Sequence, residues 1–523
     1  MLYAGIILTA IFFSLLEYLF LVPIGAYWST YFFFGFFAIT LTIVLVFIKT
    51  RRERYKSTLQ LVSAAAFALY FLIAMVIGFF NSGIFNADRY RALLPEPKEV
   101  SFTSAIEPFD ISKAPIVPKS TAEQIADKTI SQDGTLGSRA QINSVTLQNV
   151  DGSLYYVVPL EHSGFFAWLN NKEEGTPYIM VNANNKECEL VKCNIRYQPG
   201  SFFGQDLTRR LYMKNIGAGY TDFTFEVDDN KHPYWTASIF KNTIGLSGRV
   251  ITGTAIVDAE TGDVQVYTVK DTPGWVDRIQ PEELVENNIN LRGKYVHGFS
   301  PFNDNDKIQT TGNMGLVYNN GNCYYYSGIT SIGKDESSLG FYLVNTRNME
   351  TSYFRMSGAT ETSAIKSAEG KVQNLGYTGS FPIIMNVENK ATYFIPLQDK
   401  NGLTKLYSMV SVEDHTVLGT GESVEECKSM YIKALFSKNQ LEYSAGNQLE
   451  VTGRIKRIGS YTLQGNSYYM IILDNMDTSF TVPISQSMKL PVTKEGDTVK
   501  IIYINSKLDN SIATVGFDNL SVK

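Results

Sequence analysis

The sequence has few of the residues that form disulfide frameworks, metal centres and common catalytic sites. Its 523 residues include only four cysteines and four histidines, which excludes a disulfide-rich scaffold. No two of the histidines have the spacing of metal ligands, and no Gly-x-Ser-x-Gly, His-Glu-x-x-His, Walker A or Gly-x-Gly-x-x-Gly motif occurs. The sequence therefore predicts a protein that is not an enzyme and that carries no metal or cofactor.

A large excess of either charge is also missing. The 46 basic and 51 acidic residues leave a net charge of −5, which argues against a general binder of phosphate backbones. Neither a glycine period nor sustained heptads appear, so collagen-like and coiled-coil chains are excluded. An aromatic content of 13% excludes disorder throughout. At about 150 residues per domain, the length predicts three or four folded units.

Long apolar runs are concentrated at the N-terminus. Residues 2–22, 31–48 and 59–80 each approach the roughly 20 residues that a helix needs to cross a bilayer. The loop after the second run is strongly basic, with Lys49, Arg51, Arg52, Arg54 and Lys56. Positive residues in short loops stay cytoplasmic. These patterns predict a three-helix transmembrane anchor over residues 1–81, a multi-pass cell-membrane location, a cytoplasmic N-terminus and an extracytoplasmic C-terminal part.

Glu17 lies within the first apolar run. A carboxylate in hydrocarbon is costly, so such a residue often faces a partner subunit or a water-filled site. The plainer alternative is that Glu17 lies near the outer end of the helix and extends toward the interface. Glu17 is thus a candidate intramembrane contact.

The chain after residue 119 contains internal similarity. One segment runs from Gly219-Tyr220-Thr221 through Tyr234-Trp235 to Gly245-Leu246. A second runs in the same order from Gly376-Tyr377-Thr378 through Tyr393-Phe394 to Gly402-Leu403. Asp-Gly and Asn-Gly pairs between alternating apolar residues predict hairpins, and helical patterns lie between them. The predicted divisions after the anchor are a proline-rich linker over 82–119, repeats over 120–200, 201–300, 301–358 and 359–440, and a final domain over 441–523.

The repeat unit resembles the PepSY domain family, which includes YpeB-like membrane proteins. The resemblance depends on the segment Val257-Asp-Ala-Glu-Thr-Gly-Asp-Val264, which matches the family's hairpin of a strand, an Asp-x-x-Thr-Gly turn and a second strand. It implies antiparallel sheets that each carry a helix, in an extracytoplasmic module that binds or inhibits a protease or modulates a wall hydrolase. The chain differs from the family's peptidases in having no peptidase domain.

Residues 441–523 contain five strand-like runs separated by polar turns, and their order resembles an OB-fold. Basic and aromatic side chains occur together on the first two runs, as on a single-strand nucleic-acid platform. The predicted extracytoplasmic location argues against nucleic acid, and a solvated strand edge explains the basic residues equally well. The predicted fold class is therefore a membrane-anchored α+β protein with three N-terminal transmembrane helices, tandem PepSY-like repeats and a small C-terminal β-barrel.

The cysteines allow a single candidate disulfide. Cys188 and Cys193 are five residues apart in a strand-like stretch, which places them on opposite faces unless a bulge intervenes. Buried free thiols are the alternative for all four cysteines. Oxidation requires that this part of the chain lie outside the membrane.

Aromatic residues recur once in each repeat and have two interpretations. They either pack the cores or form a concave surface for a peptide or glycan. The candidate surface comprises Tyr156, Tyr234, Trp235, Trp275, Tyr325, Tyr393 and Phe394.

The sequence predicts a non-enzymatic integral membrane protein that binds or regulates an envelope protein, peptide or wall polymer. The alternative function is a subunit or scaffold of a membrane complex that acts through its transmembrane helices, as a homo- or hetero-oligomer. A wall-modifying enzyme is a third hypothesis, which would require acidic residues from separate repeats to converge in a cleft.

Overall fold

The structure is a computed structural model in which the chain forms two compact units. It describes Ile11, Leu15 and residues 53–110, 115–215, 217–312, 314–332, 337–438, 448–463, 466–476, 478–504 and 511–522. The N-terminal unit comprises Met1–Thr360 with Asn386–Asn389, and the C-terminal unit comprises Glu361–Met385 with Lys390–Lys523. The finer division into a linker, repeats and a final domain stays a prediction.

The predicted transmembrane anchor is wrong. Among the described residues, no single helix is long and apolar enough to cross a membrane. One bent pair, Ala68–Asn81 and Gly83–Arg91, meets the length and composition test only when both helices are taken together, across a bend of 44°. The first two apolar runs lie outside the described residues, apart from Ile11 and Leu15. The multi-pass localisation and its orientation are corrected with the anchor.

The predicted fold class is corrected for the same reason. The structure is mostly β-sheet, with 42% strand and 25% helix and with five sheets in the part of the chain that is described. The helices of the N-terminal unit are α1 (Glu53–Asn81), α2 (Gly83–Arg91), α3 (Phe102–Ala105), α4 (Lys119–Gln132), α5 (Phe165–Asn171), α6 (Leu207–Lys214) and α7 (Glu282–Lys294).

Three sheets form the β structure of the N-terminal unit. Its strands are β1 (Lys98–Glu99), β2 (Ala140–Ile142), β3 (Thr146–Val150), β4 (Ser153–His162), β5 (Thr176–Asn182), β6 (Cys188–Ile195), β7 (Gly219–Val227), β8 (Pro233–Ile244), β9 (Ser247–Asp258), β10 (Val264–Thr268), β11 (Ile308–Thr310), β12 (Gly315–Asn319), β13 (Asn322–Ser331), β14 (Ser337–Asn345) and β15 (Thr351–Ala359). The first sheet has the order β2-β4-β5-β6, with β3 also paired to β4, and the second has the order β10-β9-β8-β7. The third has the order β1-β15-β14-β13-β11, with β12 also paired to β13. All of these pairs are antiparallel except β1 with β15.

Each of these sheets packs against a helix through residues spaced three or four apart. In α4, Ala122, Ala126 and Ile130 share one face and pack against the first sheet. Leu207 and Leu211 of α6 are fully buried in a cluster that contains residues of the first and second sheets. Val285 and Ile289 of α7 pack on the third sheet.

Local turn chemistry explains where the hairpins close. Asp151 and Gly152 both have positive φ between β3 and β4, and Asn320 and Gly321 do so between β12 and β13. Two successive positive φ angles define the turn that best fits the twist of a two-residue hairpin, and Asp-Gly and Asn-Gly tolerate it. Helix α4 begins directly after Pro118, which is its N-cap residue.

The C-terminal unit contains the helices α8 (Glu361–Lys371) and α9 (Val424–Ser437). Strands β16 (Thr378–Gly379), β17 (Ile383–Val387), β18 (Lys390–Gln398), β19 (Thr404–Ser411) and β20 (Leu418–Gly421) form a fourth sheet. A closed barrel follows in the order β21-β22-β23-β25-β24, from β21 (Gln448–Leu463), β22 (Asn466–Leu473), β23 (Ser479–Pro483), β24 (Thr498–Ile504) and β25 (Ser511–Asn519). Ser423 caps α9, since its Oγ accepts the backbone N–H of Glu426 at 3.1 Å.

Candidate functional site

Most of the predicted aromatic surface is buried. Five of its seven members are at most 7% exposed, namely Tyr156, Trp235, Tyr325, Tyr393 and Phe394. They pack the cores, as the alternative interpretation holds. Tyr234 and Trp275 are partly exposed and stack with ring centroids 4.9 Å apart.

The remaining sequence candidates are not brought together. All four cysteines are free. Cys188 and Cys193 lie on the same strand, five residues apart, which corresponds to about 17 Å and exceeds the reach of a disulfide. Cys188 contacts the hydroxyl of Thr129, whereas Cys193 faces the carbonyl of Thr176. Glu17 lies outside the described residues.

A polar junction joins the three sheets of the N-terminal unit. We use this name for the segment Thr272–Gln280, between β10 and α7, and for the side chains that bind it. Arg347, in the turn after β14, donates to the carbonyls of Thr272 at 2.7 Å and Pro273 at 2.9 Å, and also to that of Val276. Gln148 of the first sheet donates to the carbonyl of Trp275 at 3.0 Å. The segment is therefore fixed before α7 begins.

Two buried carboxyl groups meet within the junction. Oδ2 of Asp277 accepts the backbone N–H of Asn149 at 2.7 Å and lies 2.9 Å from the hydroxyl of Tyr318. Oε2 of Glu226 accepts the backbone N–H of Asp277 at 2.9 Å, while its Oε1 has no hydrogen-bond partner. Asp277 thus links side chains or backbone from all three sheets.

Burial governs the protonation of this pair. Desolvation, together with the neighbouring Asp277, raises the pKa of Glu226 to about 8. Desolvation also raises the pKa of Asp277 to about 6, although its hydrogen bonds and the charges of Arg278 and Arg347 oppose the shift. Glu226 is therefore mainly protonated at neutral pH.

A groove opens beside the junction, between α2, α7 and the β8–β9 hairpin. Two adjoining cavities of about 610 Å³ and 480 Å³ share Leu93, Arg249, Ile251 and Leu284 in their walls, and we call them together the groove. This size suits a ligand of several polar groups. Gln280, the last residue of the junction, and the next residue, Pro281, also line the groove, so the end of the junction forms part of the groove wall.

The α2 wall is held by close contacts. A Cβ on Gly83 would lie 2.1 Å from the hydroxyl of Tyr295 on the other side of the groove. Tyr90 stacks on Tyr295 with centroids 6.0 Å apart and donates its hydroxyl to the carbonyl of Asn81 at 2.7 Å. Arg292 of α7 donates to the carbonyl of Leu94 at 3.2 Å. The region of α2 and that of α7 therefore pack directly against each other beside the groove.

The smaller cavity has a distinct charge, and we call it the arginine arm. Arg89 and Arg249 line it, and none of its described lining residues is acidic. Arg89 donates to the carbonyl of Thr243, and the guanidinium of Arg249 lies 4.7 Å from the ring centroid of Phe240. Asn288 lines the same arm and is 2% exposed, yet its Oδ1 has no hydrogen-bond partner.

Sequence reasoning missed the groove. Its residues come from the segment treated as a linker, from a hairpin tip and from a helix, α7, whose bounds were not predicted. A local signal for α7 exists, with Glu282 and Glu283 in the first turn, Arg292 and Lys294 in the last, and apolar residues four apart. No local signal indicates that these segments meet.

Comparison with known proteins shows no family. No protein-family model matches this chain, and no curated protein matches it. The crystal structure of a polysaccharide lyase, Uly1, aligns with 71% of this chain and 78% of its own chain, at 10% identity and a TM-score of 0.18. A TM-score this low carries no argument about fold or function. The PepSY-like and OB-fold-like resemblances stay predictions.

Proposed function

We propose that this chain is a non-enzymatic binding protein whose N-terminal unit takes an extended segment of a partner protein or peptide into the groove. The observation that carries the proposal concerns Asn288, which lines the cavity wall. Its buried Oδ1 has no hydrogen-bond partner. An unsatisfied buried acceptor costs about 1–3 kcal/mol, so its retention is explained if a ligand donor satisfies it.

The chemistry of the groove supports a peptide. Carboxamides from three separate elements line it, including Asn242, Asn287 and Asn348. A carboxamide both donates and accepts, which matches the N–H and C=O groups of an extended backbone. Leu93, Ile251 and Leu284 add apolar surface between these polar groups.

Peptide selection, followed by a variant that narrows the groove, tests the proposal. Random peptides displayed on phage are selected on the full chain, and the affinities of synthetic copies are measured by calorimetry. Leu284→Trp should place a bulkier side chain in the wall shared by the two cavities, narrow both of them and weaken binding at least about tenfold. Leu339→Trp, at an exposed site on β14, is the control and should leave the affinity unchanged.

Two results would contradict this proposal. One is that no peptide is enriched over the background. The other is that the selected peptides bind Leu284→Trp as tightly as they bind the unmodified chain.

A further inference from the structure

We infer that the arginine arm binds a carboxylate of the peptide, so that the preferred partner segment is acidic or ends in a free C-terminus. This inference rests on the proposed function and adds the charge class of the ligand. The juxtaposition that carries it is Arg89, Arg249 and the buried Asn288 around one cavity.

Charge is the first part of the argument. Within the part of the chain that the structure describes, the side chains lining the arm include two guanidinium groups and no carboxylate. Clefts lined by one sign of charge attract the opposite sign, and a guanidinium matches a carboxylate with paired N–H donors. In the larger cavity Arg249 is accompanied by Glu283, so the preference for an anion is confined to the arm.

The positions of the two guanidinium groups also favour binding of a carboxylate. Arg89 is fixed by its bond to the carbonyl of Thr243 and by a second one to Oδ1 of Asn86 at 3.2 Å. Arg249 extends from β9 over the ring of Phe240, and its side chain is exposed. Less side-chain entropy is lost when a cation is held before its ligand arrives.

Asn288 supplies the third part. A simple anion offers no donor for an unpaired carboxamide oxygen, whereas a peptide carboxylate is accompanied by a backbone N–H. The arm therefore contains complementary groups for both, with cations for the carboxylate and Oδ1 for the N–H. This combination favours a peptide over a free inorganic anion.

The test uses labelled octapeptides that share one apolar sequence and differ only in charge. One has a free C-terminus without acidic side chains, one has an amidated C-terminus and two central glutamates, and one is amidated with glutamines instead. Fluorescence anisotropy on the full chain should show at least about tenfold tighter binding of one or both acidic peptides than of the neutral one. Which of the two binds distinguishes a terminal carboxylate from a side-chain carboxylate.

Variants locate the effect. Arg249→Gln should remove the preference for the acidic peptide. Arg355→Gln is the matched control, because Arg355 also lies over a ring, that of Tyr353, but on β15 away from the groove. Asn288→Leu should weaken every peptide about tenfold while the thermal midpoint stays the same or rises, because the change removes an unsatisfied buried polar atom.

The outcomes separate the two proposals. Equal binding of acidic and neutral peptides, lost on Leu284→Trp, would overturn the carboxylate inference and leave the groove proposal standing. An unchanged acidic preference in Arg249→Gln would also overturn the inference. No binding of any peptide would overturn both, as would binding of an oligouronate with no peptide binding.

Discussion

The junction and the groove are both polar regions of the N-terminal unit, but they use their polar groups differently. In the junction, a single segment is bonded to side chains from all three sheets, and Arg347 alone binds the carbonyls of Thr272, Pro273 and Val276. In the groove, carboxamides and two arginines surround open space. The first arrangement stabilises the chain, whereas the second suits a ligand.

The two regions also differ in their buried polar atoms that have no hydrogen-bond partner. Glu226 has one buried oxygen without a partner, and the cost is reduced because the raised pKa keeps the carboxyl group neutral. A carboxamide such as that of Asn288 does not titrate, so protonation cannot reduce the cost of leaving its buried oxygen without a hydrogen bond. An unpartnered amide beside a cavity is therefore a stronger indication of binding than an unpartnered acid in a core.

The largest expected effect is on the junction. Arg347→Met removes the hydrogen bonds to three carbonyls and should lower the free energy of unfolding of the N-terminal unit by about 3 kcal/mol. Arg355→Met, at a side chain that is 71% exposed, should change it by less than about 0.5 kcal/mol. Hydrogen exchange across residues 272–280 measures the difference, and equal effects of the two variants would contradict the role given to Arg347.

A smaller effect is expected on the groove wall. Gly83→Ala places a methyl group within 2.1 Å of the Tyr295 hydroxyl, so either α2 or the Tyr295 ring must shift, at a cost of about 2 kcal/mol. Gly78→Ala in α1 has nothing within 4 Å and should be neutral or slightly stabilising. The midpoint of thermal unfolding and the peptide affinity should both fall in Gly83→Ala and not in Gly78→Ala. Retained affinity in that variant would show that the width of the groove does not matter.

The last expected effect is a pH dependence of stability. The folded pKa values of Glu226 and Asp277, about 8 and 6, exceed their ordinary values of 4.5 and 3.8. The folded state thus binds more protons than the unfolded state, so this stabilisation is complete below about pH 4 and is lost as the pH rises through 6 and then 8.

Glu226→Gln tests this dependence, because a glutamine cannot ionise. In denaturant titrations, the free energy of unfolding of the N-terminal unit should fall more in the unmodified chain than in the variant between pH 5 and pH 8.5, because only the unmodified chain can lose the proton of Glu226. Identical pH profiles would show that Glu226 does not hold its proton in the folded state.

Local features were predictable from the sequence, and the reasons are physical. Leu207 and Leu211 share a helical face, and Val424, Cys427, Tyr431 and Leu435 do the same, because the helix period is fixed. Asp151-Gly152 and Asn320-Gly321 close hairpins because few other pairs tolerate two positive φ angles.

Features that depend on distant contacts were not predictable. Apolar residues in α1 suggested a membrane span, but composition does not show where a helix bends, and here it breaks at Ser82. The recurrent aromatic residues could equally line a surface or a core, and burial decided for most of them. Arg89, Arg249 and Asn288 are far apart in the chain, and only the packing of α2, α7 and the β8–β9 hairpin brings them to one cavity.

The most direct test of the account is hydrogen exchange of the full chain with and without a saturating acidic peptide. Binding in the groove predicts added protection in residues 83–95, 242–251 and 280–295, with little change in the barrel over residues 448–519. Protection that appears elsewhere while these three segments stay unchanged would contradict the assignment of the groove as the binding site.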